Sequence, residues 1–181
     1  MTVLRWSVAL ICLATASAAQ DLIRNVEMPA HRALMEARAN TQPNEFETDG
    51  CSGGLSSSWR LLADTFPKFG VLYEEHPPWE NCCVTHDRAY HNAGGSQNAE
   101  ESFDARLQAD DALRSCVKSH GESHAEEYAS RYEMSEDQIR SAHSITAEAM
   151  FMAVRFGGGP CSGLPWRWGF GYPGCSVFKS R

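Results

Sequence analysis

The stretch Cys82-Cys83-Val84-Thr85-His86-Asp87-Arg88-Ala89-Tyr90 sets an imidazole, a carboxylate and a phenol beside two adjacent thiols. On a helix, His86 and Tyr90 are i,i+4 neighbours on one face, while Asp87 points about 100° away from His86. A base can therefore face one site while a carboxylate faces the next. A histidine becomes a useful base when a buried aspartate accepts its Nδ1–H, fixes the tautomer and stabilises the imidazolium; the other nitrogen then takes a proton from water. No Ser, Cys or Thr on the core side of this helix is an obvious nucleophile, so water is the expected one. A water nucleophile needs positive charge at the developing oxyanion, and a hard cation supplies it. Asp87 is one candidate ligand. The loop Thr48-Asp49-Gly50-Cys51-Ser52-Gly53-Gly54 adds the Asp49 carboxylate and backbone carbonyls beside its glycines. Carboxylate and carbonyl oxygens together select calcium. A zinc site built from Cys82, Cys83, His86 or His91 is disfavoured, because adjacent cysteines do not splay easily around one tetrahedral ion.

These groups need helices to hold them. Residues 20 to 42 read as one helix with Val26, Leu34 and Met35 on its apolar side, ended by Pro43. Residues 43 to 60 are turn-rich and read as a loop. Between Leu61 and Trp79, Pro67, Gly70, Pro77 and Pro78 break the pattern. A second helix starts after Pro77-Pro78, carries the His86 segment and stops at Gly94-Gly95. A third runs from about Ala99 to Ser119, closed by Gly121. A fourth opens at Ser135 with Gln138 as a capping box. Ile139, Ala142, Ile145, Ala149, Ala153 and Phe156 repeat along it at helical spacing, up to Gly157-Gly158-Gly159-Pro160. No strand pattern or internal repeat is visible, so the domain should be mainly α. If Cys82 were bonded to Cys116, the second and third helices would pack antiparallel. His86 would then lie level with Asp110-Asp111, and Ala89 would face Ala109. The arc holding Phe103, Leu107, Leu113 and Val117 contains position 110 and excludes 111, with Arg106 and Arg114 near it. That arc favours Asp110 over Asp111.

The first 19 residues read as a secretory signal: Arg5, an apolar run from Trp6 to Ala16, then small residues. That run is too short to span a bilayer, which takes roughly 20 residues. Residues 20 to 181 amount to one domain's worth of chain. Six of the seven cysteines lie there, and an even count in an exported chain reads as a disulfide framework. Six cysteines allow fifteen pairings. The net charge of −7 speaks against nucleic acid and against wholesale adsorption to anionic membranes.

The nine-residue segment resembles the secreted phospholipase A2 superfamily, whose hallmark is a double cysteine followed by His-Asp and a tyrosine. Asp110 and Cys116 match that family's aspartate six residues before a cysteine. Thr48-Asp49-Gly50-Cys51, Ser102-Phe103-Asp104-Ala105 and Ala153-Val154-Arg155-Phe156-Gly157 are similar to its bacterial and fungal branch. One departure is paired: Ala89 and Ala109 stand where the family carries a disulfide. The resemblance implies a small disulfide-stapled helical domain in which two long antiparallel helices carry the active site, with Cys82–Cys116 and Cys51–Cys83 bonded. It implies His86, Asp110 and Tyr90 as the catalytic set, and Ca2+ on Asp87. Asp49 and Gly50, or else Gly50, Ser52 and Gly54, would complete the calcium loop. The implied reaction is hydrolysis of the sn-2 ester of glycerophospholipids at a membrane or micelle surface, by a secreted enzyme. The rival is a non-catalytic binding or structural module on the same scaffold.

The tail, residues 162 to 181, admits two readings. Trp166, Trp168, Phe170 and Tyr172 alternate beside basic residues, which suits a lipid interface. Alternatively a Cys161–Cys175 bond closes a small loop that packs its rings on the domain. In the chain-entropy view a loop of about 15 residues gives roughly 3 kcal/mol.

Overall fold

The computed structural model describes residues 3–51 and 76–178, with side chains from residue 21 onward. The signal segment, residues 1 to 19, thus lies outside the described side chains, and Ser52 and Gly54 lie outside the described residues. Among the described residues there are five α-helices and no strand: α1 (Val3–Arg38), α2 (Glu80–His91), α3 (Ala99–Ser123), α4 (Ala125–Tyr132) and α5 (Glu136–Gly157). Three disulfides staple them: Cys51–Cys83, Cys82–Cys116 and Cys161–Cys175. Among the described residues no helix is long and apolar enough to cross a membrane.

Helix α1 ends at Arg38, short of Pro43. The Thr41 hydroxyl donates to the Ala37 carbonyl at 2.9 Å and its N–H to the Arg38 carbonyl at 3.0 Å, turning the chain off the helix. Its inner face is Met28, His31 and Leu34, and not Val26, which is 71% exposed. The register follows His31 and Glu27, whose polar partners lie on α3 and α5; Leu34 and Met35 pack inward as expected, and Val26 alone of the expected three is outside.

Asn98 caps α3, its side chain accepting from Glu101 N. Gly121 does not close this helix. It lies inside it and lets α5 approach: a Cβ there would stand 2.4 Å from His143 Cβ. Gly121→Ala should therefore push α3 and α5 apart and cost about 1–3 kcal/mol. Urea unfolding checks this, and an unchanged midpoint would show the two helices to be loosely packed there. The short α4 follows α3 after His124 and stops where Glu133 turns left-handed (φ 54°). Ala125, Tyr128, Ala129 and Tyr132 recur along it at i, i+3, i+4 and i+7 and form its inner face, a short pattern not among the expected helices.

Helix α5 starts at the expected capping box of Ser135 and Gln138. Its anticipated apolar column is not its core face. Ile139 is buried, but Ile145 is 71% and Phe156 83% exposed, and Ala142, Ala149 and Ala153 face solvent. The inner column is His143, Ala147, Met150 and Val154, with the last three packed on Leu113, Val117 and the buried cysteines of α2. A histidine within that column lowers its apparent hydropathy and makes the opposite side look like the core.

The tail folds back on the domain. Trp168 is fully buried, its backbone N–H on the Gly158 carbonyl at 2.8 Å and its indole edge-on to Tyr90. Gly169 N donates to Tyr90 O at 2.7 Å, and Gly171 N to His91 O at 3.0 Å. Trp168 and Tyr172 are core residues rather than a free aromatic surface. Beyond Cys175, Val177 and Phe178 are exposed.

Candidate functional site

The buried positions of α2 are Cys82, Cys83, His86, Asp87, Tyr90 and His91. At four-residue spacing they form two adjoining columns. The first column, Cys82, His86 and Tyr90, meets α3. Cys82 is bonded to Cys116, and His86 and Tyr90 both reach Asp110, so partner numbers fall along α3 as they rise along α2. The second column faces the loop before Cys51 and the tail. Cys83 is bonded to Cys51, Thr48 Oγ1 donates to Asp87 Oδ2 at 2.7 Å, and His91 packs between the rings of Phe46 and Phe170.

Asp110 is fully buried, whereas Asp111 pairs with Arg114 at the surface. Asp110 Oδ1 accepts from His86 Nε2 at 3.0 Å and from the Tyr90 hydroxyl at 2.7 Å. The nitrogen meeting the aspartate is thus Nε2, where the expected one is Nδ1. Nδ1 is left toward Asp87, 3.7 Å from its Oδ1. The cause is the helix register: the far side of the ring faces α3, and the near side faces the next residue. Burial works against the His86 imidazolium, but hydrogen bonds to Asp110 and Asp87 and the charges of both outweigh it, holding His86 above the usual histidine value. Burial also pushes the Tyr90 phenol far up, so it stays a neutral donor.

Three further residues complete the network, and the nine-residue motif names none of them. Arg155 Nη1 donates to Asp110 Oδ2 at 2.9 Å. Arg106, fully buried, donates from Nε to the Tyr90 oxygen at 3.3 Å and from Nη2 to the Val154 and Arg155 carbonyls at 2.8 and 2.9 Å. Those carbonyls belong to the last turn of α5, where Val154 O also takes the Gly158 N–H at 2.9 Å. Glu27 of α1 accepts from Arg106 Nη1 and, at 2.7 Å, from Arg155 Nη2. Burial raises the Glu27 carboxyl, but His31 and the two guanidiniums more than compensate and hold it below the usual range. Arg106 near the core arc, and Arg155 within the Ala153–Gly157 resemblance, are the signals of this network visible in the sequence. Glu27 lies 79 residues from Arg106 in the chain and gives none.

No family model, curated protein or solved structure matches this chain.

Two cavities open beside the network. One of about 80 Å³ is walled by His86, Asp87, Leu113, Met150, Val154 and Trp166 among others, and is mostly apolar. The other, about 560 Å³, is lined by Glu45, Glu47, Thr48, Asp49, Asp87, His91 and Trp166 among others. Asp87 and Trp166 belong to both. Of the expected calcium ligands, Asp87 and Asp49 line the same cavity. Gly50, buried and left-handed (φ 84°), is held to them, its N–H donating to Thr48 Oγ1 at 3.1 Å. Among the described residues no three His, Cys, Asp or Glu side chains gather as a metal cluster. A set of two carboxylates plus hydroxyl and carbonyl oxygens has no such triplet, and its donors are all of the hard kind calcium takes. The residues present fit that ion by chemistry.

Proposed function

We propose that the protein is a calcium-dependent phospholipase A2 that hydrolyses the sn-2 ester of glycerophospholipids. The observation that carries this reading is the shared Asp110 Oδ1. A buried carboxylate oxygen takes both His86 Nε2 and the Tyr90 hydroxyl, while the neighbouring Asp87 lines a second cavity together with Asp49. On this reading α2 and α3 are the antiparallel pair that carries the active site.

With Nε2–H donated to Asp110, Nδ1 holds the lone pair on the side of the apolar slot. His86 Nδ1 takes a proton from water as its oxygen attacks the ester carbonyl. Asp110 balances the imidazolium, and Tyr90 and Arg155 keep that carboxylate from turning. His86 then returns the proton to the departing glycerol oxygen. Asp87 and Asp49, with Gly50 and Thr48, would hold calcium. When bound, calcium supplies positive charge for the ester oxygen and the phosphate. Ser52 and Gly54 remain candidate carbonyl donors. The apolar slot, walled by Leu113, Met150 and Val154, suits an acyl chain.

The domain, residues 20 to 181, would act as one exported unit once residues 1 to 19 are removed, and the three disulfides suit an oxidising compartment. Incubating the oxidised protein with mixed micelles of a defined phospholipid and about 5 mM calcium, the millimolar scale of extracellular sites, should release sn-2 fatty acid. A calcium chelator should stop it, and a zinc-selective chelator should not. Absence of release in calcium, from a folded protein, would leave a non-catalytic binding module on this scaffold instead.

A further inference from the structure

The larger cavity has more negative charge than a calcium ion needs. Besides Asp87 and Asp49 it is lined by Glu45 and Glu47, and among the described residues no Lys or Arg lines it. Its position is built rather than incidental. Asn44 N donates to Gly171 O at 2.7 Å, and Gly171 N to His91 O at 3.0 Å, so the 44–49 segment, the tail and α2 are tied together around it. Glu45 and Glu47 both face the cavity. Phe46, between them, packs edge-on against His91 at 5.4 Å and is covered by the Arg88 guanidinium.

The other wall is aromatic, made by Trp166 and Phe170. A second observation points to an occupant. His91 is more than nine-tenths buried, yet its Nε2 has no hydrogen-bond partner. His91 and Gly171 both line the cavity, and the nitrogen lies against Gly171, where a Cβ would stand 2.5 Å away. Buried polar atoms without partners are rare and call for a ligand or water.

Resting on the phospholipase reading of the same site, we infer that this cavity receives the cationic end of a zwitterionic phospholipid head group, of the choline or ethanolamine class. Glu45 and Glu47 supply the counter-charge. The faces of Trp166 and Phe170 supply the surface a quaternary ammonium prefers. His91 Nε2 supplies a hydrogen-bonding atom for the polar part of the head. An anionic group at that end of the head would meet Glu45 and Glu47 with no Lys or Arg lining the cavity beside them, a repulsion that favours its exclusion.

The test uses the full oxidised chain and two readouts. In the first, tetramethylammonium chloride is titrated and followed by 1H–15N NMR. The Trp166 indole and the amides of residues 45–49 should shift saturably, and equal sodium chloride should not reproduce this. Glu45→Gln/Glu47→Gln should weaken binding about fivefold to tenfold. Glu100→Gln/Glu126→Gln, which removes the same charge from exposed sites elsewhere, should not. In the second, hydrolysis of choline- and glycerol-headed phospholipids with identical acyl chains is compared in neutral-detergent micelles. The choline lipid should be favoured about tenfold through KM, and the Glu45/Glu47 double variant should bring the ratio close to one. Thermal melting confirms that the variants fold. Absence of saturable binding, or equal binding in both double variants, overturns the inference. Fatty-acid release with no head-group preference also overturns it while leaving the esterase intact. Tetramethylammonium binding without any release supports the cavity's role and removes the hydrolase.

Discussion

Replacing His86 by Gln should reduce fatty-acid release at least about a thousandfold while leaving the helical circular dichroism unchanged. The loss is large because the glutamine amide can still meet Asp110 but offers no basic nitrogen to a water. General-base catalysis by a positioned side chain is itself worth about 10²–10⁴-fold. Retained activity within about tenfold of wild type would remove His86 from the mechanism. The same residue sets the pH dependence. Asp110 and Asp87 hold His86 above its ordinary 6.5, so the rate should rise with pH and level off only above that value. The stability linked to this group has the opposite sign. It is fully present below the unfolded-state pKa and is lost as pH rises through the raised folded value. Activity and this part of stability therefore move in opposite directions across neutrality.

Replacing Arg106 by Met should be the most destabilising single change. The guanidinium is fully buried and serves Tyr90, Glu27 and two carbonyls at the end of α5. Its removal takes one of the two guanidinium partners from Glu27, the Nε donor from Tyr90 and a side-chain donor from the Val154 and Arg155 carbonyls. Breaking a buried pair in this way costs about 3–5 kcal/mol, which for a chain of this size lowers Tm by about 10 °C. The companion double variant, Arg106→Met with Glu27→Gln, should recover part of the loss by removing the carboxylate that has lost one of its two guanidinium partners. Differential scanning calorimetry of the two decides. A single variant that melts within about 2 °C of wild type would mean that the Glu27–Arg106 pair contributes no net stability, since that shift corresponds to about 1 kcal/mol or less.

The parts legible in the sequence are those set locally. The α2 segment, the capping box at Ser135 and the choice of Asp110 over Asp111 all follow from helical spacing, and the structure agrees with each. Cys82–Cys116 and Cys51–Cys83 are implied by resemblance and are formed. Less legible are features that depend on what a distant element presents. Val26 and the Ile145–Phe156 side of α5 are apolar, so they look like core. The positions that are buried instead are held by partners on other helices: His31 by Ser102, and Arg155 by Glu27 and Asp110. Gly121 looks like a stop signal because glycine often ends helices; here it is a contact point for His143. The ring nitrogen facing Asp110 could not be read from spacing, since the histidine's orientation depends on which side α3 occupies.

The two vicinal cysteines give α2 an additional property. Cys82 and Cys83 leave consecutive residues in different directions, one to α3 and one to the segment carrying Thr48 and Asp49. Both halves of the site therefore depend on bonds that form only under oxidising conditions. In a reducing cytoplasm neither the acid behind His86 nor the loop beside Asp87 is clamped in place. On the proposed reading, the newly made chain is latent toward the membranes of the cell that produces it. It becomes competent only where thiols are oxidised.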